Sequence, residues 1–329
     1  MTPRRRITLR VVTADALDFE ADVLALKYAD SLYGVDKQAY ERLDLGCSSI
    51  KLPKLHGFTL HDKTASIVPR KVLFVGVQPL RQFGYAEIRE FGRKVLASLA
   101  GEAPNTRHLA LTIHGPGYGL DEIEAFESEL AGVVEAINSG DFPDVLEAIS
   151  FIERNPGRAE RLRGALKRLV PVGSLAIVAG ATLSTLDELA QHALRSAGYA
   201  SASKPHVFVA MPFASAMDDI FHYGIQGAAN AAGLLCERAD LSTFTGDVMG
   251  WVKNRISTAR LVIADLSSAN PNVYLEVGYA WGCNVPTVLI VRDSADLKFD
   301  VKGQRCIVYD SIKQLEDRLA HTLSSLVGD

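Results

Sequence analysis

The sequence predicts two α/β domains in series, the second built on a doubly wound parallel sheet. Two observations carry this. Short apolar runs bounded by turn residues alternate with segments of helical spacing along nearly the whole chain. The chain is also long for one domain, at 329 residues. A small, polar, Pro-terminated stretch, Gly198-Tyr-Ala-Ser-Ala-Ser-Lys-Pro205, is suited to join two. We therefore expect a first domain over 1–197 with its core at about 5–140, a linker over 198–205, and a second domain over 206–329.

In the first domain, residues 7–12 alternate as a strand and end in Thr13-Ala-Asp-Ala16. Val23 to Leu26 is a buried strand, and Leu32 to Ala39 is a turn into a helix. Lys71 to Val77 reads as a strand, Glu87 to Leu99 as an amphipathic helix, and His108 to Ile113 as a strand. That strand runs into His114-Gly-Pro-Gly-Tyr-Gly119, followed by a long helix from Asp121 to Ile137. Asp144 to Glu153 and Arg158 to Leu169 are expected to be helical. The second is basic, through Arg158, Arg161, Arg163, Lys167 and Arg168, as either a solvated face or a surface for an acidic partner. Gly173 to Gly180 reads as a strand and Leu186 to Ala197 as a helix.

In the second domain, His206 to Phe213 holds an apolar strand, and Asp218 to Gly233 has helical spacing. Cys236-Glu-Arg-Ala-Asp240 leads to a Thr/Gly-containing loop ending at Asp247. A helix from Val248 to Ala259 feeds a strand from Arg260 to Asp265. Asn270-Pro271 then opens a helix: Asn caps free N–H groups, and Pro fits the first helical position. Strands at Pro286–Val291 and Val301–Tyr309 and a final amphipathic helix, Ser311 to Leu326, complete the expectation. One acid, Glu276, sits among Val273, Leu275, Val277 and Ala280, just beyond a strand's carboxyl end. Ligands of open α/β sheets bind there, and a carboxylate held against apolar neighbours is a candidate nucleophile or general base.

The stretches Val207-Phe-Val-Ala-Met-Pro-Phe213, Gly246-Asp247, Ile263-Ala-Asp-Leu-Ser267 and Asn270-Pro-Asn-Val-Tyr-Leu-Glu-Val-Gly-Tyr-Ala280 occur in order. Over residues 205–329 the chain thereby resembles the nucleoside 2-deoxyribosyltransferase-like superfamily and, more distantly, the TIR-like domains related to it. The resemblance implies that Glu276 is the catalytic carboxylate, attacking the anomeric carbon of a nucleoside, with Asp247 acting near the base. Asn270 falls where the transferases often carry a further acid. Phe213 is a candidate wall of the base site, and Asn270 and Asn272 are candidate substrate contacts. Asp265 either orients a ribose hydroxyl or caps its own turn through Ser267 and Ser268.

The chemistry suits a carboxylate, because breaking a glycosidic C–N bond builds an oxocarbenium-like sugar that a fixed negative charge stabilises or traps. Nicotinamide leaves with the least acid assistance because it is already charged, so NAD is the leading substrate. The alternatives are a nucleoside or nucleotide 2-deoxyribosyltransferase and a non-catalytic nucleotide-binding module.

The first domain resembles a macro domain, the fold that binds ADP-ribose and related nucleotides. Ala14-Asp15-Ala16 sits where that family has a Gly-Asp-Ile motif whose Asp contacts adenine. Tyr33-Gly34-Val35-Asp36 resembles its first phosphate loop, and Gly115-Pro-Gly117-Tyr118-Gly119 its second. Glycines let backbone N–H groups approach phosphates, and a helix N-terminus adds a favourable dipole. Lys27-Tyr28 replaces the family's Asn-rich turn. The two resemblances together imply an effector regulated by a nucleotide-sensing domain, with an ADP-ribose-like ligand on the first domain. They also imply a prokaryotic defence context, with a defence-system partner or a homo-oligomer.

Composition bounds the rest. Hydrophobic residues are 48%, charged residues 22% and the net charge -4, an ordinary globular balance with no bulk attraction to duplex nucleic acid. The sequence shows no apolar run of membrane-spanning length and no secretion segment after Pro3-Arg-Arg-Arg6, so a cytoplasmic location is expected. The four cysteines are scattered and read as small buried residues. The histidines show no metal-binding spacing, so no metal or other cofactor is expected.

Overall fold

The structure, a computed structural model, describes residues 5–44, 50–116, 119–177, 186–238 and 248–327. The chain divides into two compact units. Unit 1 comprises Met1–Pro116 and Glu122–Ala202; unit 2 comprises Gly117–Asp121 and Ser203–Asp329. The excursion of Gly117–Asp121 into unit 2 has no counterpart in a linear division of the sequence.

Unit 1 is a seven-stranded sheet in the order β3-β4-β2-β5-β6-β1-β7. Its strands are β1 (Arg5–Thr13), β2 (Val23–Tyr28), β3 (Phe58–Asp62), β4 (Lys71–Gly76), β5 (His108–Thr112), β6 (Ala148–Glu153) and β7 (Ser174–Ile177). The inner strands run parallel, and β3 and β7 close the two edges antiparallel. Helices α1 (Gly34–Asp44), α2 (Tyr85–Glu102), α3 (Glu122–Ser139), α4 (Pro156–Leu169) and α5 (Glu188–Ser196) pack around it. One apolar layer joins Leu24, Leu26, Val72, Phe74 and Ala110 of the sheet to Ala39 and Leu43 of α1.

Asp144–Glu153, expected to be helical, instead holds strand β6 over Ala148–Glu153. It lies between β5 and β1 with Ile149, Ser150, Phe151 and Ile152 all buried. A strand covered on both faces loses its in–out alternation, so its apolar run imitates a helical segment.

On the basic helix α4, Lys167 and Arg168 are exposed, as expected of a solvated face, and the other basic residues meet acids of unit 1. Arg158 and Arg161 pair with the buried Glu122 at 3.1 and 2.5 Å, Arg158 also reaches Glu153, and Arg163 pairs with Glu160. Its charge is largely answered inside unit 1. The other ionic feature is a clamp. Arg89 of α2 is buried; it donates to the carbonyls of Leu194 (2.9 Å), Arg195 (3.2 Å) and Ala197 (2.6 Å) and to Glu135 (2.9 Å). These are the free carbonyls at the end of α5, which any helix must satisfy from outside.

Unit 2 is an all-parallel sheet in the order β12-β11-β10-β8-β9. The strands are β8 (His206–Ala210), β9 (Leu235–Glu237), β10 (Leu261–Asp265), β11 (Thr287–Val291) and β12 (Cys306–Val308). One face carries α7 (Val248–Thr258) and α8 (Pro271–Gly282), packed on Phe208, Val262, Ala264 and Leu289. The other carries α6 (Gly227–Ala231) and α9 (Ile312–Val327), over Val207, Val209, Ile263 and Ile290. In place of a continuous α-helix over Asp218–Gly233, Ile220–Gln226 is a π-helix that passes into α6. The wide turn brings His222 Nδ1 to 3.0 Å from the Gln226 amide oxygen.

Residues 119–121 complete the β9 edge of this sheet. Asp121 accepts from the Cys236 backbone N–H (3.2 Å) and from the buried Gln226 amide (3.3 Å). Cys236 is buried, Cys306 half-buried and Cys283 exposed, so the expectation of burial fails at Cys283; Cys47 lies outside the described residues. Among the described residues, no helix is long and apolar enough to cross a membrane.

Candidate functional site

Counted from the first strand of unit 2, the sheet order is 2-1-3-4-5. The chain reverses direction between β8 and β10: the helices after β8 lie on one face and the helix after β10 on the other. In doubly wound sheets the crevice outside the carboxyl ends at this reversal is where ligands bind. The segments beginning there are Met211-Pro-Phe213 after β8 and Asp265-Leu-Ser267 at the end of β10.

The turn after β10 is strained. Ser268 and Ala269 both have positive φ, at 64° and 49°, in the region side chains avoid. Each such residue costs about 1 kcal/mol or more, and persists only where its surroundings fix it. Four contacts do so. Asp265 accepts from the Ser267 N–H (2.9 Å) and the Tyr309 hydroxyl (2.9 Å), the Ser268 N–H donates to Asp296 (2.8 Å), and Ser267 Oγ accepts from the Arg292 N–H (3.0 Å). Asp265 is fully buried. Burial raises its carboxyl above the ordinary value against the hydrogen bonds of Ser267 and Tyr309 and the charge of Arg292. Of the two roles expected for Asp265, the geometry supplies the turn cap.

Asn270 follows. Its side chain accepts from the Asn272 N–H (2.9 Å) and caps α8, with Pro271 at the first helical position, as the sequence predicts. That oxygen is committed to the helix, while the Asn272 side chain is exposed. Val273, Val277 and Ala280 face the sheet. Glu276 lies at the border of that face, half-buried, with no hydrogen bond or ion pair among the described residues. Burial alone pushes its carboxyl up to about 7. Tyr279, one turn on along the same flank, lies 5.8 Å from Lys253 of α7, so this flank looks toward α7. Asp247, just before α7, lies outside the described residues.

Phe213 is 43% exposed, and its ring lies 5.9 Å from the Arg238 guanidinium, which follows β9. Arg238, Tyr309 and Arg292 were not legible as site residues in the sequence. Their only signal is position, one residue past a strand end, and that acquires meaning once strand order is known.

In unit 1 the carboxyl ends of the parallel strands gather another set. Asp15, after β1, caps the short turn at Leu17 (2.9 Å) and lies 3.6 Å from Arg154. Gly34 opens α1 at φ +50°, with nothing within 4 Å of where a Cβ would stand, and half-buried Val35 follows. Gly115 follows β5 at φ 114°. Gly117 and Tyr118 lie outside the described residues. Gly119 has the positive φ expected of a phosphate loop, but it belongs to unit 2, and a Cβ there would stand 2.4 Å from the Trp251 ring. Its open side is taken by an indole.

Beneath this edge are buried polar groups. Lys27 pairs with Asp36 at 2.5 Å, both buried. Burial raises the Asp36 carboxyl in spite of Lys27. Among the described residues, Asp36 Oδ1, Thr112 Oγ1, His114 Nε2 and both carboxyl oxygens of Glu129 are buried without a hydrogen-bond partner. Burial holds His114 well below its ordinary value, with the Lys27 charge adding to it. It holds Glu129 well above its ordinary value, with the nearby His114 backbone amide an incomplete offset.

The sign for Glu129 is definite. Folded unit 1 keeps a proton that the unfolded chain releases above about pH 4.5, so stability is full below that pH and is lost as pH rises toward the raised value. Glu129→Gln should gain on the wild type by up to ~1.4 kcal/mol per pH unit above pH 5. Urea unfolding at pH 5, 6 and 7 measures this, and parallel curves for the two proteins would refute a neutral Glu129. Among the described residues, no group of His, Cys, Asp or Glu is placed to hold a metal ion.

No protein-family model matches the chain, and no curated protein does. Among solved structures it is similar to a Trypanosoma brucei macrodomain in complex with ADP, at 14% identity and TM-score 0.38, covering 49% of this chain and 68% of that one. It is also similar to an Oceanobacillus iheyensis macrodomain with ADP, at 12% identity and TM-score 0.37, covering 52% of this chain and 100% of that one. A third, an alphavirus P23pro-zbd structure, has 11% identity and TM-score 0.36 over 80% of this chain and 44% of that one.

Proposed function

We propose that unit 2 cleaves the N-glycosidic bond of a nucleotide, with Glu276 as the reacting carboxylate and NAD as the leading substrate. Unit 1 is then a nucleotide-sensing module, with an ADP-ribose-like ligand at its strand ends, regulating this activity in a prokaryotic defence setting. The observation that carries the reading is Glu276 itself: a half-buried carboxylate without a partner among the described residues, on the helix that follows β10 at the reversal of strand order. A carboxylate left unpaired and desolvated is poorly explained by stability, since burial without a partner costs free energy.

In the proposed step the C1′–N bond breaks and its electron pair goes to the ring nitrogen of nicotinamide, which leaves neutral. Ionised Glu276 stabilises the oxocarbenium or bonds to C1′. Water then supplies hydroxide to C1′, any C1′–O bond to Glu276 breaks with its electron pair returning to the carboxylate, and the proton of water passes to the carboxylate or to solvent. The strained turn at Ser268-Ala269 and the Asp265–Tyr309 tie fix the start of α8, and through it the position of Glu276.

Incubation of the full chain with a nucleotide panel, followed by separation of products, tests this. Nicotinamide plus ADP-ribose supports hydrolysis of NAD, base exchange supports deoxyribosyl transfer, and unchanged ligand with measurable affinity supports a binding module. Because the ionised form reacts, kcat/KM should rise with pH through about 7, the value set by burial of Glu276. A rate that falls over that interval would contradict the role.

A further inference from the structure

Arg238 is the most constrained cation at the carboxyl edge of unit 2. It follows β9, directly beside β8. Its guanidinium is stacked 4.4 Å over the ring of Phe221, which the π-helix presents, and lies 5.9 Å from the ring of Phe213. One terminal nitrogen donates to Asp218 (3.1 Å) and the other approaches the Met211 sulfur at 3.9 Å. A guanidinium has more donors than these two contacts use, and the others have no partner among the described residues. Its side chain is 11% exposed, so it is held in place rather than free in solvent. Phe213, beside it, turns an exposed aromatic surface outward at the strand end.

A fixed guanidinium with open donors, bordered by an exposed aromatic ring at a ligand-binding edge, suits an anionic group carried by a planar base. Planar multidentate donors match phosphate better than a point charge does, and stacked aromatic faces preorganise them. We infer that Arg238 is a phosphate-binding residue of the unit 2 site, and that the site takes phosphorylated nucleotides in preference to free nucleosides. This rests on reading unit 2 as a nucleotide-cleaving domain. Asp218 orients the guanidinium, and it also competes with the phosphate for it.

Calorimetry on the full chain with adenosine, AMP and NAD tests the assignment. The wild type should bind AMP and NAD at least ~10-fold more tightly than adenosine, the scale of one charge-assisted contact. Arg238→Gln should remove that preference and leave adenosine unchanged, Arg238→Lys should keep part of it, and Asp218→Asn should keep or increase it. The inference is overturned if none of the three ligands binds, if Arg238→Gln keeps the preference, or if Asp218→Asn weakens AMP as much as Arg238→Gln does. Should Arg238→Gln lose its fold, judged by its melting temperature, Arg238→Lys and Asp218→Asn decide the matter. Glu276→Gln separates the two readings. A phosphate preference that persists in a wild type unable to cleave any nucleotide ends the glycosidase reading and leaves the assignment of Arg238 standing.

Discussion

Glu276→Gln is expected to lower cleavage at least ~100-fold while leaving the fold and ligand binding intact. The magnitude is that of removing one electrostatic contact made in the transition state. Gln keeps the shape of the side chain and removes the charge. The fold is expected to tolerate it because Glu276 has no partner among the described residues to abandon. A carboxyl raised to about 7 by burial is already partly neutral at physiological pH, so the amide is close to a state the folded protein visits. Melting temperatures for the two proteins should agree within a few degrees, and the variant should bind NAD without releasing nicotinamide. Turnover near the wild-type rate in a folded Gln variant would remove Glu276 from the chemistry.

The largest loss of stability is expected at Arg89. Arg89→Met should destabilise unit 1 by ~3 kcal/mol or more, because it strips a buried cation from several acceptors at once. The carbonyls of Leu194, Arg195 and Ala197 would be left at the end of α5, and Glu135 would lose its ion pair. The ring of Tyr199, 4.2 Å from the guanidinium, would lose its cover. Gly198 reinforces the clamp: at φ +83°, a Cβ there would stand 2.9 Å from the Arg89 Cβ. Arg89→Lys should fall between wild type and Met, since one ammonium cannot reproduce the planar reach to three carbonyls. Urea unfolding followed by circular dichroism gives the values, and a Met variant within 1 kcal/mol of wild type would show that water replaces the guanidinium at little cost.

The sequence was most legible where local physics decides. Asn270-Pro271 announces the start of α8 because capping involves neighbouring residues only, and the apolar run before Asp265 announces β10. It was least legible where a residue's meaning depends on distant chain. Nothing local says that Asp265 will accept from Tyr309, 44 residues away. The strand at Ala148–Glu153 was hidden because its partners in the sheet lie far off in sequence and it is buried on both faces, which removes the in–out alternation. The same holds for Arg238, whose place beside β8 follows from strand order alone.

The short excursion at 119–121 has a consequence for the order of events in synthesis. Asp121 leaves the ribosome more than a hundred residues before Cys236 and Gln226, the groups it serves. Unit 1 is also interrupted by this segment, so its α3 must pack while the preceding turn still lacks its final neighbours. N-terminal domains generally fold first, as units; here a stretch made during the first half of translation waits for its contacts until unit 2 has been made. A fragment beginning at the linker would lack that stretch altogether. Its β9 edge would lose the Asp121 carboxylate that accepts from the Cys236 N–H, and Trp251 would lose the glycine surface it lies against. A strand edge stripped of its covering segment invites pairing with other chains, so a second half expressed alone is expected to self-associate more than the full chain, as light scattering on the two would measure.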